Sequence, residues 1–225
     1  MNAVQVDLGV TSDFLLNAER AIAFIRKYFN NERQFVANFG GERAAKLYDL
    51  LNVSTNRAMV VERNNIRLIG GTRMMLSMLL YSIIFDKYQH DNIVYLSANI
   101  LAANRHVEIF KEMVNNIPIN EFVKHFRFGE NLTVQYGPAT IKFHTYEHAI
   151  VAHRVHRLFL DDMYERPNIT NTGTLRYYMG QLNKTLIDVC GVGMYLLQAI
   201  NPHNDPLYPG LVQSKIKEVF EVEHL

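Results

Sequence analysis

The chain has 225 residues, enough for one large domain or two small ones. Hydrophobic residues make up 48% and the formal net charge is +1, which allows a sizeable core and excludes an overall basic field for nucleic acid, though not a local basic patch. Cys190 is the only cysteine, which excludes an intrachain disulfide and fits a reducing cytosol. Met1 to Thr11 carries Asp7 and lacks the basic start and apolar core of a targeting signal. The longest mostly apolar run, Met74 to Phe85, is too short to span a bilayer and reads as a buried helix.

From Ser12 to Asn30, Leu15, Ala18, Ile22, Ile25 and Phe29 recur at steps of three and four, the mark of one helical face. Ser12 or Asp13 can cap that helix. A second helical stretch, Asn31 to Leu51, is interrupted at Gly40-Gly41, and Asn52 to Asn56 is a polar break. Met59-Val60-Val61 is a short β-type run, followed by a polar segment ending in Gly70-Gly71-Thr72. Arg73 to Tyr88 predicts a strongly apolar helix, Ile93 to Leu96 a buried strand, and Ala98 to Asn116 an amphipathic helix. Glu121 to Phe128 reads as a short helix. Leu132 to Tyr136 and Thr140 to His144 read as strands around the turn signal Gly137-Pro138. Leu158-Phe159-Leu160 is an apolar strand ending in Asp161-Asp162. Thr174 to Leu182 reads as a helix, Thr185 to Val189 as a strand, Met194 to Ile200 as a helix, and Leu211 to Glu221 as a last helix.

Strands alternating with helices predict an α/β fold with a mostly parallel sheet flanked by helices and an inserted β-hairpin. Residues 1–56 form an N-terminal helical segment and residues 57–225 the main domain, packed as one. Ligands in such folds sit at the carboxyl ends of strands. Two segments lie there: the loop ending in Thr72, and Asp161-Asp162.

A phosphate-binding loop needs a strand, a glycine-rich turn and a helix, so that backbone N–H groups and the helix N-terminus face phosphate oxygens. A lysine then meets the outer phosphates and a Ser or Thr hydroxyl binds magnesium. Gly70 and Thr72 stand where such a motif puts them, and Gly71 stands in the lysine position. ATP can then bind weakly through backbone and magnesium, with slow hydrolysis unless Arg67, Arg73 or a partner supplies the charge. On the loop alone, a plain turn before a helix is the favoured reading of Gly70-Gly71. Asp161-Asp162 fits a Walker B element, in which Asp161 holds magnesium and Asp162 positions or deprotonates the attacking water. An apolar strand also ends in Asp simply because Asp favours turns.

Taken together, these pieces resemble the ATPase domain of the large terminase of tailed bacteriophages, a P-loop NTPase-like domain of the ASCE type. That family's loop has the form R-x-x-G-K-T; here it is Arg67-Leu68-Ile69-Gly70-Gly71-Thr72, without the lysine. The strand Ile93 to Leu96, the helix after it, the hairpin turning at Gly137-Pro138-Ala139, and Asp161-Asp162 follow in the family's order. The resemblance covers roughly Met59 to Ile200. The family's coupling threonines are absent, its second acid is here Asp162, and Tyr48-Asp49 is the nearest candidate for its adenine motif. The resemblance implies nucleotide binding by Arg67, Gly70, Gly71 and Thr72, catalysis by Asp161 and Asp162, and magnesium on Asp161 and Thr72. It implies ATP as ligand, and double-stranded DNA and other viral packaging proteins as partners. No membrane is involved, an oligomer is left open, and the expected place is the cytoplasm, that of the host cell if the chain is viral.

Other constellations read as ordinary. His144, His148, His153 and His156 have zinc-like spacings but no cysteine, and surface or packed histidines are favoured. Arg20, Arg26, Lys27 and Arg33 read as a solvated face ahead of a DNA-binding one. Three functions therefore stand: a packaging ATPase with weak or absent hydrolysis; a non-catalytic interaction or regulatory module on the same fold; or an unrelated α/β protein, in which the strands ending at Val61 and Leu160 are not neighbours.

Overall fold

The computed structural model describes residues 12–53, 58–62, 70–85, 92–117, 120–145, 157–162, 194–200 and 223–224. The protein is α/β, with a mixed sheet flanked by helices. Three helices come first: α1 (Ser12–Tyr28), α2 (Glu32–Gly40) and α3 (Glu42–Val53). The Asn31 side chain caps α2 by accepting the Gln34 N–H at 3.0 Å. Strand β1 (Ala58–Glu62) leads towards α4 (Gly71–Phe85), then come β2 (Asn92–Ser97) and α5 (Ile100–Asn115). A single helical turn, α6 (Asn120–Val123), precedes β3 (Phe126–Phe128), β4 (Thr133–Tyr136) and β5 (Ala139–His144). Strands β6 (Arg157–Asp161), β7 (Met194–Ile200) and β8 (Glu223–His224) complete the described elements.

The sheet order is β3-β4-β5-β2-β6-β7-β1-β8. From β5 to β8 every pairing is parallel; only β4 runs against its neighbours β3 and β5. The hairpin turning at Gly137 is thus no appendage. Its second strand, β5, pairs with β2 along five residues and extends the parallel sheet.

Three expectations change. Met194 to Ile200 is a strand, not a helix, and stands between β6 and β1. Parallel strands inside a sheet are near-continuous apolar runs, which periodicity alone does not separate from a buried helix. Glu121 to Phe128 is not one helix: Phe126-Arg127-Phe128 alternates apolar and polar residues and pairs antiparallel with β4. The apolar helix begins at Gly71, two residues before the expected start at Arg73. The elements expected at Thr174 to Leu182, Thr185 to Val189 and Leu211 to Glu221 lie outside the described residues.

The core is built around α4. From Met74 to Leu80 every side chain is buried, and Ser77 satisfies its hydroxyl by donating to the Arg73 carbonyl. A helix buried on all faces needs cover on all faces. Helices α1, α2 and α3 supply it on one side, and α5 and β6 also touch α4. The N-terminal helices are therefore packed onto the helix that follows the glycine loop. A second cluster, Tyr95, Phe110, Phe143 and Phe159, fills the space where α5 meets β2, β5 and β6.

Candidate functional site

The start of α4 is shaped by two glycines. Gly70 has φ +71°, a left-handed conformation that suits glycine. A Cβ there would also lie 3.2 Å from the Gly40 carbonyl oxygen. Gly40 in turn lets α2 approach α3, since its own Cβ would meet the Ala44 Cβ at 2.6 Å. The first hydrogen bond of α4 runs from the Met74 N–H to the Gly70 carbonyl at 2.9 Å. The N–H groups of Gly71, Thr72 and Arg73 precede that bond, so they have no carbonyl within their own helix, and the helix dipole adds partial positive charge there.

Asp161 ends β6 and is only 3% exposed. The Tyr95 hydroxyl, from the middle of β2, donates to its Oδ2 at 2.7 Å. The Thr72 hydroxyl, from the first turn of α4, donates to the same carboxylate. One carboxylate thus ties the glycine loop's helix to β6 and β2. Burial pushes the Asp161 carboxyl above its ordinary range, and the bonds from Tyr95 and Thr72 oppose that shift. Burial and the facing Asp161 carboxylate hold the Tyr95 hydroxyl protonated well beyond its usual range.

His106 of α5 lies beside this group. Its Nδ1 is 2.8 Å from the Ser97 Oγ, and its Nε2 is 3.7 Å from the Asp161 Oδ2. The second distance is too long for a hydrogen bond. Burial lowers the imidazole to about 4, with Asp162 pulling it up and Arg105 pushing it down. His106 is therefore neutral at pH 7, and the contact with Asp161 is no ion pair there. Ser97, His106 and Asp161 lie in sequence like a hydrolase triad, but Ser97 is fully buried and has no access to a substrate.

A cavity of about 630 Å³ opens in front of these residues. Its lining includes Gly70, Gly71, Thr72 and Arg73 from the start of α4, Arg105 and His106 from α5, and Asp162. Asp162 has φ +52°, a conformation Asp tolerates better than most residues and one that concentrates at functional sites. The two acids thus part ways. Asp161 stays behind the wall, bonded to Thr72, while Asp162 lines the cavity.

Gly70, Gly71, Thr72, Asp161 and Asp162 are thus brought together, and Arg67 lies outside the described residues. Cys190, His148, His153 and His156 lie outside them too; His144 is partly buried at the end of β5. Among the described residues no group of three or more His, Cys, Asp or Glu side chains could hold a metal ion. Tyr48 and Asp49 pin helices together: the Tyr48 hydroxyl donates to Glu32 at 2.9 Å, and Asp49 takes Arg33 at 2.8 Å. Arg33 also pairs with Glu42 at 2.7 Å, Arg26 stands over the Phe85 ring and Lys27 over that of Tyr28, so three of the four N-terminal cations have partners among the described residues. Tyr95, Arg105 and His106 were not foreseen. Two carried a signal: Tyr95 is the one hydroxyl within Ile-Val-Tyr-Leu, and a buried hydroxyl needs a partner; His106 falls on the same stripe of α5 as Ala103, Phe110 and Met113. Among the described residues no helix is long and apolar enough to cross a membrane. The chain matches no family model and no curated protein sequence.

Proposed function

We propose that the chain is a terminase-like, P-loop type nucleotide-binding domain associated with viral DNA packaging, with weak or absent ATP hydrolysis. The observation that carries this reading is the hydrogen bond from Thr72 to Asp161, made at the edge of a cavity that Gly70, Gly71 and Asp162 line. A loop hydroxyl tied to the acid of a buried strand is what magnesium between a protein and a phosphate chain requires.

β1 and β6 are not hydrogen-bonded neighbours, because β7 stands between them. By the criterion of adjacent strands alone, this separation favours an unrelated fold. Two strand spacings amount to roughly 10 Å, yet the Thr72–Asp161 bond closes that distance.

The residues present fit magnesium. That ion binds through one or two carboxylates plus substrate phosphates, so a cluster of three protein ligands is not needed. Thr72, in the cavity lining, would hold it directly and Asp161, behind the wall, through the ion's water shell, and it would neutralise phosphate charge. Asp162, in the cavity wall, would accept a hydrogen bond from the attacking water. Tyr95 keeps the Asp161 carboxylate oriented, and the N–H groups of Gly71, Thr72 and Arg73 would meet phosphate oxygens.

A second reading has its own observation. Gly71 supplies no charge, and Leu101, 77% exposed, stands at the cavity as an apolar contact point. These favour a module that binds another viral protein and leaves nucleotide alone. Calorimetry of Mg·ATP with the intact chain, Asp161→Ala and Gly71→Lys separates the two. Binding by the intact chain, abolished by Asp161→Ala, is the expected result. Binding only by Gly71→Lys would mean a lost site on a retained fold. No heat from either would leave the interaction module.

A further inference from the structure

The missing lysine leaves a specific electrostatic gap. Asp162 lines the cavity, so a triphosphate entering it meets a carboxylate as well as the helix N-terminus. Backbone N–H groups carry partial charge only, and a full cation is what a phosphate chain of several negative charges needs in this position.

Arg73 is placed one residue after Thr72 but is committed elsewhere. Its Nη2 pairs with Glu112 of α5 at 3.2 Å. Arg105 is different. It lies on the face of α5 that Leu101 and Ile109 share at steps of four, and this face lines the cavity that Asp162 also lines. Among the described residues Arg105 has no ion-pair partner, whereas Arg33 has two and Arg73 one. Its charge already acts in the cavity, where it opposes protonation of His106 while Asp162 favours it. A guanidinium stays charged at any physiological pH and presents a planar fork that suits two phosphate oxygens at once.

We infer that Arg105 is the cation that meets the phosphate chain of a nucleoside triphosphate in this cavity, replacing from helix α5 the lysine that Gly71 does not supply. The inference rests on the phosphate-site reading of the cavity. It moves the positive charge from the loop to the facing helix, so that the loop needs only its glycines, its amides and Thr72.

The test titrates ATP and inorganic tripolyphosphate, each with magnesium, into the full chain, Arg105→Gln, Arg73→Gln, Gly71→Lys and the double variant Arg105→Gln/Gly71→Lys. Circular dichroism checks that each is folded; Arg105 is exposed, so its loss leaves the core intact. Arg105→Gln is expected to weaken both ligands by about tenfold or more. Arg73→Gln, whose side chain pairs with Glu112, is expected to weaken both by less than Arg105→Gln does, and Gly71→Lys to restore binding in the double variant. Unchanged affinity in Arg105→Gln, with the intact chain binding well, overturns the inference and leaves the phosphate site standing. Loss of ATP alone, with tripolyphosphate unaffected, also overturns it, because Arg105 would then contact sugar or base. Binding that appears only when Gly71→Lys is present shows a phosphate site that Arg105 does not serve. Failure of every protein to bind either ligand removes the site itself, and the inference with it.

Discussion

Asp161 brings a carboxylate into a place with almost no water, and two hydroxyls hold it there. Tyr95→Phe removes one of them and leaves the buried carboxyl short of a partner, at a cost of about 1–3 kcal/mol. Urea unfolding should show that loss as a lower midpoint with an unchanged slope. The pH dependence has two opposed parts in the metal-free chain. Asp161 keeps its proton to a higher pH when folded than its ordinary value of 3.8. Stability from this group is therefore greatest in acid and is lost as pH rises from 3.8 through the folded value. His106 behaves oppositely. The unfolded ring takes a proton near 6.5 and the folded one near 4, so stability is lost as pH falls across that window, by roughly 3 kcal/mol at most. Asp161 faces the ring at 3.7 Å, Asp162 raises its pKa and Arg105 lowers it, and burial, the largest cause, carries the net sign. His106→Gln should flatten the profile between pH 4 and 6.5, and Asp161→Asn should steepen it; urea midpoints across that range read both.

At the scale of elements, α4 was the most legible, because ten apolar residues in fifteen have nowhere to go but inside. Leu79→Ala leaves a cavity among fully buried neighbours and should cost about 2–5 kcal/mol, read as a lower urea midpoint with an unchanged slope. Gly40→Ala presses a methyl against Ala44 and should cost about 1–3 kcal/mol. Because the Gly40 carbonyl also abuts Gly70, that variant should weaken Mg·ATP binding, whereas Leu79→Ala should spare it in the folded protein. β7 and β3 were misread for different reasons. Met194 to Ile200 has the apolar content of either element, and only its place between two parallel strands makes it a strand. Phe126 to Phe128 is too short for any period to show, and pairing with β4 decides it.

For the whole molecule, the N-terminal helices and the sheet share one core through α4. Far-UV circular dichroism and the near-UV tyrosine signal should therefore lose structure in one coincident transition, since Tyr81 packs against Phe35 of α2 and Tyr95 against Phe159 of β6. Two separated transitions would mean that the helices before β1 fold as a unit of their own. Saturating Mg·ATP at a hundred times its Kd should add about 2.7 kcal/mol to that single transition.

The sequence by itself determined the α/β alternation, the buried helix after Gly70-Gly71-Thr72, the hairpin turning at Gly137, and the strand that ends in Asp161-Asp162. Each is local: a period, a run of apolar residues or a turn residue suffices. The division of labour between the acids was decided only by tertiary structure. Asp161 and Asp162 are adjacent in the chain and identical in chemistry, and they differ because a left-handed backbone at Asp162 puts one behind the cavity wall and the other in it. The same holds for Tyr95, Arg105 and His106. They meet the loop because α5 and β2 pack beside it, and a contact between residues so far apart in the chain exists only once long-range packing has formed.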